Sequence, residues 1–297
     1  MGIGSHIEQH RGGTFMRAFH ILRTRGKTNF ADFEIFTLLL SALEWRRHNG
    51  EIFLCTDTTG KDFLDAAGLL HLWNGVDTSL DEMDSLGVDE NVFWAGAKLF
   101  ALSKQPLPCV MIDLDFIVWR PIDFERFGSS VAVIHRESTD LNCYPDANYF
   151  RLKNFSLPAD LNWSLEPCNG ALVYFGNKNF VTRYVEFAFD FMRAAEPLPE
   201  QSGWDLLPYM VFVEQRWLAM CAELYGVEVH SLSDLPELFG GKQKTFTHIW
   251  GYKKFFREDR SAAEKFCRDC ANRIAHDFPQ QAEKFSRLAL TRNYFTS

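Results

Sequence analysis

The chain has 297 residues, 46% of them hydrophobic, and a formal net charge of −8. That length suits one large domain or two small ones, and the hydrophobic content supports a substantial core, which excludes gross disorder. The acidic balance excludes a general nucleic-acid binder, which needs a basic face, but leaves room for a local basic pocket around one anionic ligand.

Residues 1–15 are polar, Gly-rich and His-containing, without the apolar centre of a signal peptide, and read as a flexible leader before a domain that starts near Met16. Residues 17–23 alternate loosely and predict a first strand ending at Thr24-Arg25-Gly26-Lys27. Residues 30–48 carry helical spacing (Phe33, Phe36, Leu39, Leu40, Leu43) and stop at Asn49-Gly50. A short strand over 51–56 runs into Asp57-Thr58-Thr59-Gly60, a helix follows over 62–70, a weak strand over 71–76, and a helix over 91–104. Next comes the apolar run 109–119, bounded by Pro106, Pro108 and Pro121 and interrupted by Asp113 and Asp115. Strands are predicted again over 131–135, 171–175 and 228–231, and helices over 180–195 and 210–224. Residues 261–290 form an amphipathic helical tail with a break at Pro279.

This alternation predicts an α/β fold: a mostly parallel, mixed central sheet flanked by helices, with a C-terminal helical tail. The division expected is a leader (1–15), one domain (16–256) and a helical appendage (257–297). Ligands of such sheets gather beyond the carboxyl ends of the strands, where Thr24, Asp57 and the acidic pair fall. Neither GxGxxG nor a phosphate-loop lysine motif occurs, so a dinucleotide oxidoreductase and a phosphate-loop enzyme are unsupported. Residues 137–165 are long, polar, aromatic and Asn-rich. They read either as a lid over the acceptor side of a cleft or as a structured excursion packed through Tyr144, Tyr149, Phe150 and Phe155.

Seven cysteines form an odd set, mostly in apolar contexts, which reads as reduced thiols in a cytoplasmic protein. Cys267 and Cys270 make a CxxC with no second pair to complete a zinc site. No apolar run approaches the ~20 residues of a membrane span, while peripheral membrane contact stays open.

On a strand, Asp113 and Asp115 would point to one face and converge. Two carboxylates forced together repel and lose solvation, and a divalent cation relieves both costs. An oxygen pair suits magnesium or manganese. The alternative is a pair that caps the strand end and faces water.

Several segments then line up in order: 91–98, the acidic run 111–118, Asn169-Gly170 leading into an apolar strand, Glu214-Gln215, and 247–254 with His248, Gly251 and Lys254. Together they resemble the glycosyltransferases of the GT-A fold, particularly the retaining group that contains glycogenin and the lipopolysaccharide galactosyltransferases. The resemblance covers residues 16–256 and rests on an Asp-x-Asp coupled to a late His-x-x-Gly-x-x-Lys. It departs from that group at Cys168 and Asn169, at Glu214, where Asp is usual, and at Phe255-Phe256, where Pro-Trp is usual.

The resemblance implies a metal-dependent transferase that moves a sugar from a nucleotide-diphosphate donor, UDP-linked in that group, to a glycan, lipid-linked or other hydroxyl acceptor with retention. Asp113, Asp115 and His248 would hold Mn2+ (or Mg2+). Gly251 would admit the diphosphate, and Lys254 would neutralise it as it departs. Thr24, Asp57, Lys98, Asn169 and Gly170 would hold the donor, with Glu214 and Gln215 at the reacting sugar. Trp163 and Trp204, on polar segments, are candidate sugar-stacking rings. A nucleotidyltransferase acting on sugar phosphates and a non-catalytic carbohydrate-binding protein are the competing readings. The first lacks a Gly-rich basic loop after strand one, and the second leaves the retained Asp, His and Lys set without a purpose.

Overall fold

A computed structural model describes residues 16–295; the expected leader lies outside the described residues. Among the described residues nine strands are formed: β1 Ala18–Leu22, β2 Ile52–Thr56, β3 Val76–Asp77, β4 Cys109–Ile112, β5 Phe116–Val118, β6 Val131–Val133, β7 Leu172–Phe175, β8 Val229–Ser231 and β9 Phe246–His248. The helices are α1 Asp32–His48, α2 Thr58–Ala66, α3 Gly96–Ser103, α4 Lys178–Ala194, α5 Leu207–Val211, α6 Trp217–Leu224, α7 Leu235–Phe239, α8 Lys253–Glu258, α9 Arg260–Asp277 and α10 Pro279–Phe285.

Seven strands make one sheet in the order β3-β2-β1-β4-β7-β6-β8, and β5 and β9 pair separately. Only β7 runs against its neighbours in the large sheet; the β1/β2, β2/β3, β1/β4 and β6/β8 pairs are all parallel. The expected mostly parallel, mixed α/β sheet is therefore present. From β1 the chain winds outward to β2 and β3, then returns to place β4 on the other side of β1. That reversal opens a crevice at the carboxyl ends of β1 and β4.

One face of the sheet packs on α3, α4 and the α5–α6 segment, and the other on α1, α2, α9 and α10. Residues 35–45 of α1 are buried all round, because α9 covers the side that the sheet does not. Cys267, Cys270, Ala271 and Ile274 of α9 and Phe285 of α10 belong to the same apolar cluster as α1. The tail expected as an appendage thus shares the core, and the CxxC fills space in it as two free thiols. Burial pushes the Cys267 thiol up to about 12 and Cys270 higher still, which suits inert packing groups.

Residues 137–165 are seated rather than free. Phe150 packs against Phe191, Tyr209 and Phe212, and Phe155 against Phe187. The Arg216 guanidinium donates to the carbonyls of Tyr144, Pro145 and Trp163 and lies 4.9 Å from the centre of the Trp163 ring. Of the two expectations for this stretch, the packed excursion matches its contacts.

Candidate metal centre

The acidic pair is not carried on one strand. β4 ends at Ile112, the Asp113 amide still donates to Ala171 O at 2.8 Å, and the chain then turns, with Phe116 N donating to Asp113 O. β5 leaves the large sheet to pair antiparallel with β9, whose register sets Phe116 opposite His248. Ile249 N completes the junction by donating to Asp115 O at 3.2 Å. The turn and the β5–β9 pairing, rather than a period-two strand, bring the carboxylates together. One ligand atom each from Asp113, Asp115 and His248 lies within 4.8 Å of the others.

Two lysines flank the cluster. Lys98 Nζ, reaching from α3, stands 2.5 Å from Asp113 Oδ1 and 2.6 Å from Glu214 Oε1. Lys253 Nζ, at the start of α8, stands 2.7 Å from Asp115 Oδ2, and His248 Nε2 lies 3.7 Å from Asp115 Oδ1. Burial disfavours a charged Lys98, but the carboxylates of Asp113 and Glu214 outweigh it and raise its pKa. Burial likewise opposes ionisation of Asp115, yet His248 and Lys253 hold it below the usual carboxylate range. At Asp113 loss of solvent dominates over Lys98 and shifts the carboxyl upward.

Behind the turn runs a buried hydrogen-bond chain. Trp73 Nε1, a donor only, gives its proton to His20 Nδ1 at 3.1 Å. His20 must then carry its own proton on Nε2, where Ser41 Oγ accepts at 3.0 Å, and Ser41 donates to Phe116 O at 2.5 Å. Burial lowers the His20 pKa to about 3, so the ring stays neutral and the tautomer holds. The chain ties β1, α1 and β5 together one residue beyond Asp115. His20 and Ser41 sit in apolar segments and gave no sequence signal of their own.

Other expected site residues divide. Gly170 and Glu214 belong together: a Cβ on Gly170 would meet Glu214 Oε1 at 2.7 Å, so this glycine makes room for the carboxylate that holds Lys98. Glu214 and Gln215 lie on a π-helical turn, Phe212–Arg216, between α5 and α6. Such one-turn insertions recur at functional sites because they re-aim consecutive side chains. Gln215 accepts from the Tyr144 hydroxyl, a partner from the packed loop with no site signal in the local sequence. Asn169 donates to Glu137 at 2.7 Å and caps the Ala171 amide.

Thr24 and Asp57 bond to each other. The Asp57 carboxylate accepts from Thr24 N and Oγ1, Arg25 N and Gly60 N, and pairs with Arg23. Its acceptor sites are spent, so Asp57 braces the end of β1 where donor binding was expected. Gly251 has open space around its Cβ direction. Lys254 departs from expectation: its side chain is 87% exposed and faces Glu258 at 3.8 Å. The helical start at Lys253 turns adjacent side chains about 100° apart, so Lys253 enters the site and Lys254 leaves it. Trp163 stacks on Phe212 with ring centres 5.7 Å apart and is a packing residue, whereas Trp204 stands exposed.

The sequence profile of a family of unknown function (DUF6734) matches residues 23–288. The chain belongs to that family. No curated protein matches the sequence. Among solved structures the chain is similar to mouse xyloside xylosyltransferase 1 in its apo form, at 11% sequence identity and a TM-score of 0.42, over 73% of this chain and 85% of that one.

Chemically, the centre offers two carboxylates and an imidazole to one point. His248 Nε2 is buried and has no hydrogen-bond partner among the described residues, which is costly unless something binds it. A divalent cation fits that donor set, and the three residues could hold one. A cavity of about 170 Å³ lies against Asp115 and Lys253, walled by Leu22, Phe30, Phe63 and Leu114 with Glu34 at its edge.

Proposed function

We propose that this protein is a metal-dependent glycosyltransferase of the GT-A type, moving a sugar from a nucleoside-diphosphate donor, UDP-linked and with retention, to a hydroxyl acceptor. The observation that carries this reading is the convergence of Asp113 and Asp115 with His248, from a distant part of the chain, beside the crevice where the parallel sheet reverses its winding. Asp113, Asp115 and His248 would hold the cation, manganese or magnesium. When bound, that cation supplies Lewis-acid stabilisation to the oxygens of a departing diphosphate.

The chain's own residues supply the rest. Lys253, fixed on the far side of Asp115, places an ammonium where the leaving diphosphate gains charge, and such charge is stabilised more in the transition state than before it. Lys98 bridges Asp113 to Glu214 and so locks the acidic turn to the π-helical turn. Glu214, Gln215 and Asn169 would read sugar hydroxyls, and Gly170 makes the room that Glu214 occupies. Gly251 leaves room for a phosphate beside the backbone, and Thr24 stands at the crevice end of β1, braced by Asp57. The seven free cysteines favour a reducing compartment, and we place the enzyme in the cytoplasm. Among the described residues no helix is long and apolar enough to cross a membrane.

The nucleotidyltransferase reading needs free cations after β1. Arg23 instead pairs with Asp57, Asp84 and Glu90, and Arg25 donates to Glu90 O and Asn91, so two of the three basic residues of 23–27 are engaged and Lys27 alone is left exposed there. The test is a panel of nucleotide sugars with and without manganese, read by thermal shift and by slow release of free sugar. One donor should raise the melting temperature and be hydrolysed only with metal. A panel in which no donor does either would contradict the reading.

A further inference from the structure

The stretch 239–257 differs from the rest of this acidic chain. It carries five basic residues, Lys242, Lys244, Lys253, Lys254 and Arg257, and no Asp or Glu, in a protein of net charge −8. It also leaves aromatic rings in water: Phe239 is 84% exposed, Trp250 64%, Tyr252 60% and Phe255 48%. These are four of the nine large hydrophobic side chains exposed among the described residues. Lys253, Arg257 and Lys254 face Asp115, Glu34 and Glu258, while Lys242 and Lys244 present their charge at the surface.

We propose that this stretch is a docking surface for an anionic lipid bilayer. Trp and Tyr rings have an apolar body and a polar tip and settle at the headgroup level, while lysines beside them draw the surface toward negative headgroups. Charge complementarity favours lipid over a protein partner here: a basic, aromatic stretch with no Asp or Glu of its own, in an otherwise acidic molecule, would turn toward a uniformly negative plane. Trp250 and Tyr252 follow His248 by two and four residues, so docking would hold the metal centre at the lipid surface, within reach of a lipid-linked hydroxyl acceptor. The binding claim stands apart from the transferase reading, since vesicle binding and sugar transfer are measured separately and either can fail alone.

The test is co-sedimentation of the full chain with vesicles of phosphatidylcholine alone or with one-third phosphatidylglycerol, at low and at physiological salt. Binding is expected only to the anionic vesicles, and it should weaken with salt. Each lysine near an anionic surface contributes about fivefold in partitioning, so Lys242→Gln with Lys244→Gln should weaken binding by about 25-fold. Trp250→Ser with Tyr252→Ser should also release the protein, and both variants should keep the wild-type melting temperature because the side chains are exposed. Absence of sedimentation with anionic vesicles at low salt would overturn the proposal, as would variants that sediment like wild type. Equal capture by heparin, with the aromatic variant still bound to vesicles, would mark a general polyanion site and overturn it too.

Discussion

Lys98→Met tests the electrostatic frame of the centre. The substitution keeps length and apolar bulk but removes the ammonium that sits 2.5 Å from Asp113 and 2.6 Å from Glu214. Both carboxylates are then left without their shared partner, and Glu214 is almost fully buried. Breaking a buried ion pair from one side costs about 3–5 kcal/mol. With an unfolding entropy of about 2.1 cal/mol/K per residue over about 280 ordered residues, that corresponds to a fall of about 5–8 °C in melting temperature. Thermal unfolding followed by circular dichroism, in chelator and then in millimolar manganese, reads the effect. Metal bound to the folded state alone stabilises it by mass action, and the variant's Asp113 is no longer shared with an ammonium, so manganese should raise the variant's melting temperature more than the wild type's. A variant that melts within about 2 °C of wild type, or that responds to manganese no more than wild type, would refute this reasoning.

Gly170→Ala should push Glu214 off Lys98, since the new methyl would lie 2.7 Å from Oε1. Overpacking of this kind costs about 1–3 kcal/mol, visible in urea unfolding as a lowered midpoint at unchanged slope. Lys253→Ala should reduce turnover by about 10²–10³, whereas Lys254→Ala, at an exposed site, should leave it near wild type; steady-state kinetics on the donor found in the panel will show the reverse if Lys254 is the working cation. Glu44 gives a pH signature. Both its oxygens are buried, with His48 Nε2 3.2 Å from Oε2, and burial raises its pKa despite Arg47 and Arg273. The folded state therefore keeps this proton to higher pH than the unfolded chain does, so its contribution to stability is present at low pH and is lost as pH rises from the unfolded value of about 4.3 through the folded one. Glu44→Gln should flatten that part of the stability–pH curve; an unchanged slope would show that Glu44 is not its source.

Much of the architecture was legible because hydrophobic periodicity and turn residues act locally. The expected helix at 30–48 forms as Asp32–His48, and the tail breaks before Pro279 as its ring requires. What escaped depends on distant partners. Asp113-Leu114-Asp115 sits inside an apolar run and looks like one strand, but β5 is drawn out of line by β9, whose pairing leaves no mark in the local pattern. The helix expected at 91–104 begins only at Gly96, because residues 89–95 form tight turns ahead of it. Residue types alone singled out Asp113, Asp115 and His248, which the fold brings together as a cluster that could hold a metal ion, since carboxylates and imidazole are rare in apolar surroundings without a reason. The adjacent Lys253 and Lys254 could not be ranked, because a one-residue difference in helical phase decides which faces Asp115. His20 and Ser41 act through hydrogen bonds between buried elements, and only the folded chain brings those groups together.

The central claim is that Asp113, Asp115 and His248 form a divalent-metal site that holds a nucleoside diphosphate. Titration calorimetry of UDP into the protein with manganese, compared between wild type and Asp115→Asn, tests it most directly. Metal-dependent binding should be measurable in wild type and largely lost in the variant, with the variant still folded by circular dichroism. Equal affinity in the two proteins, or binding that is indifferent to manganese in wild type, would contradict it.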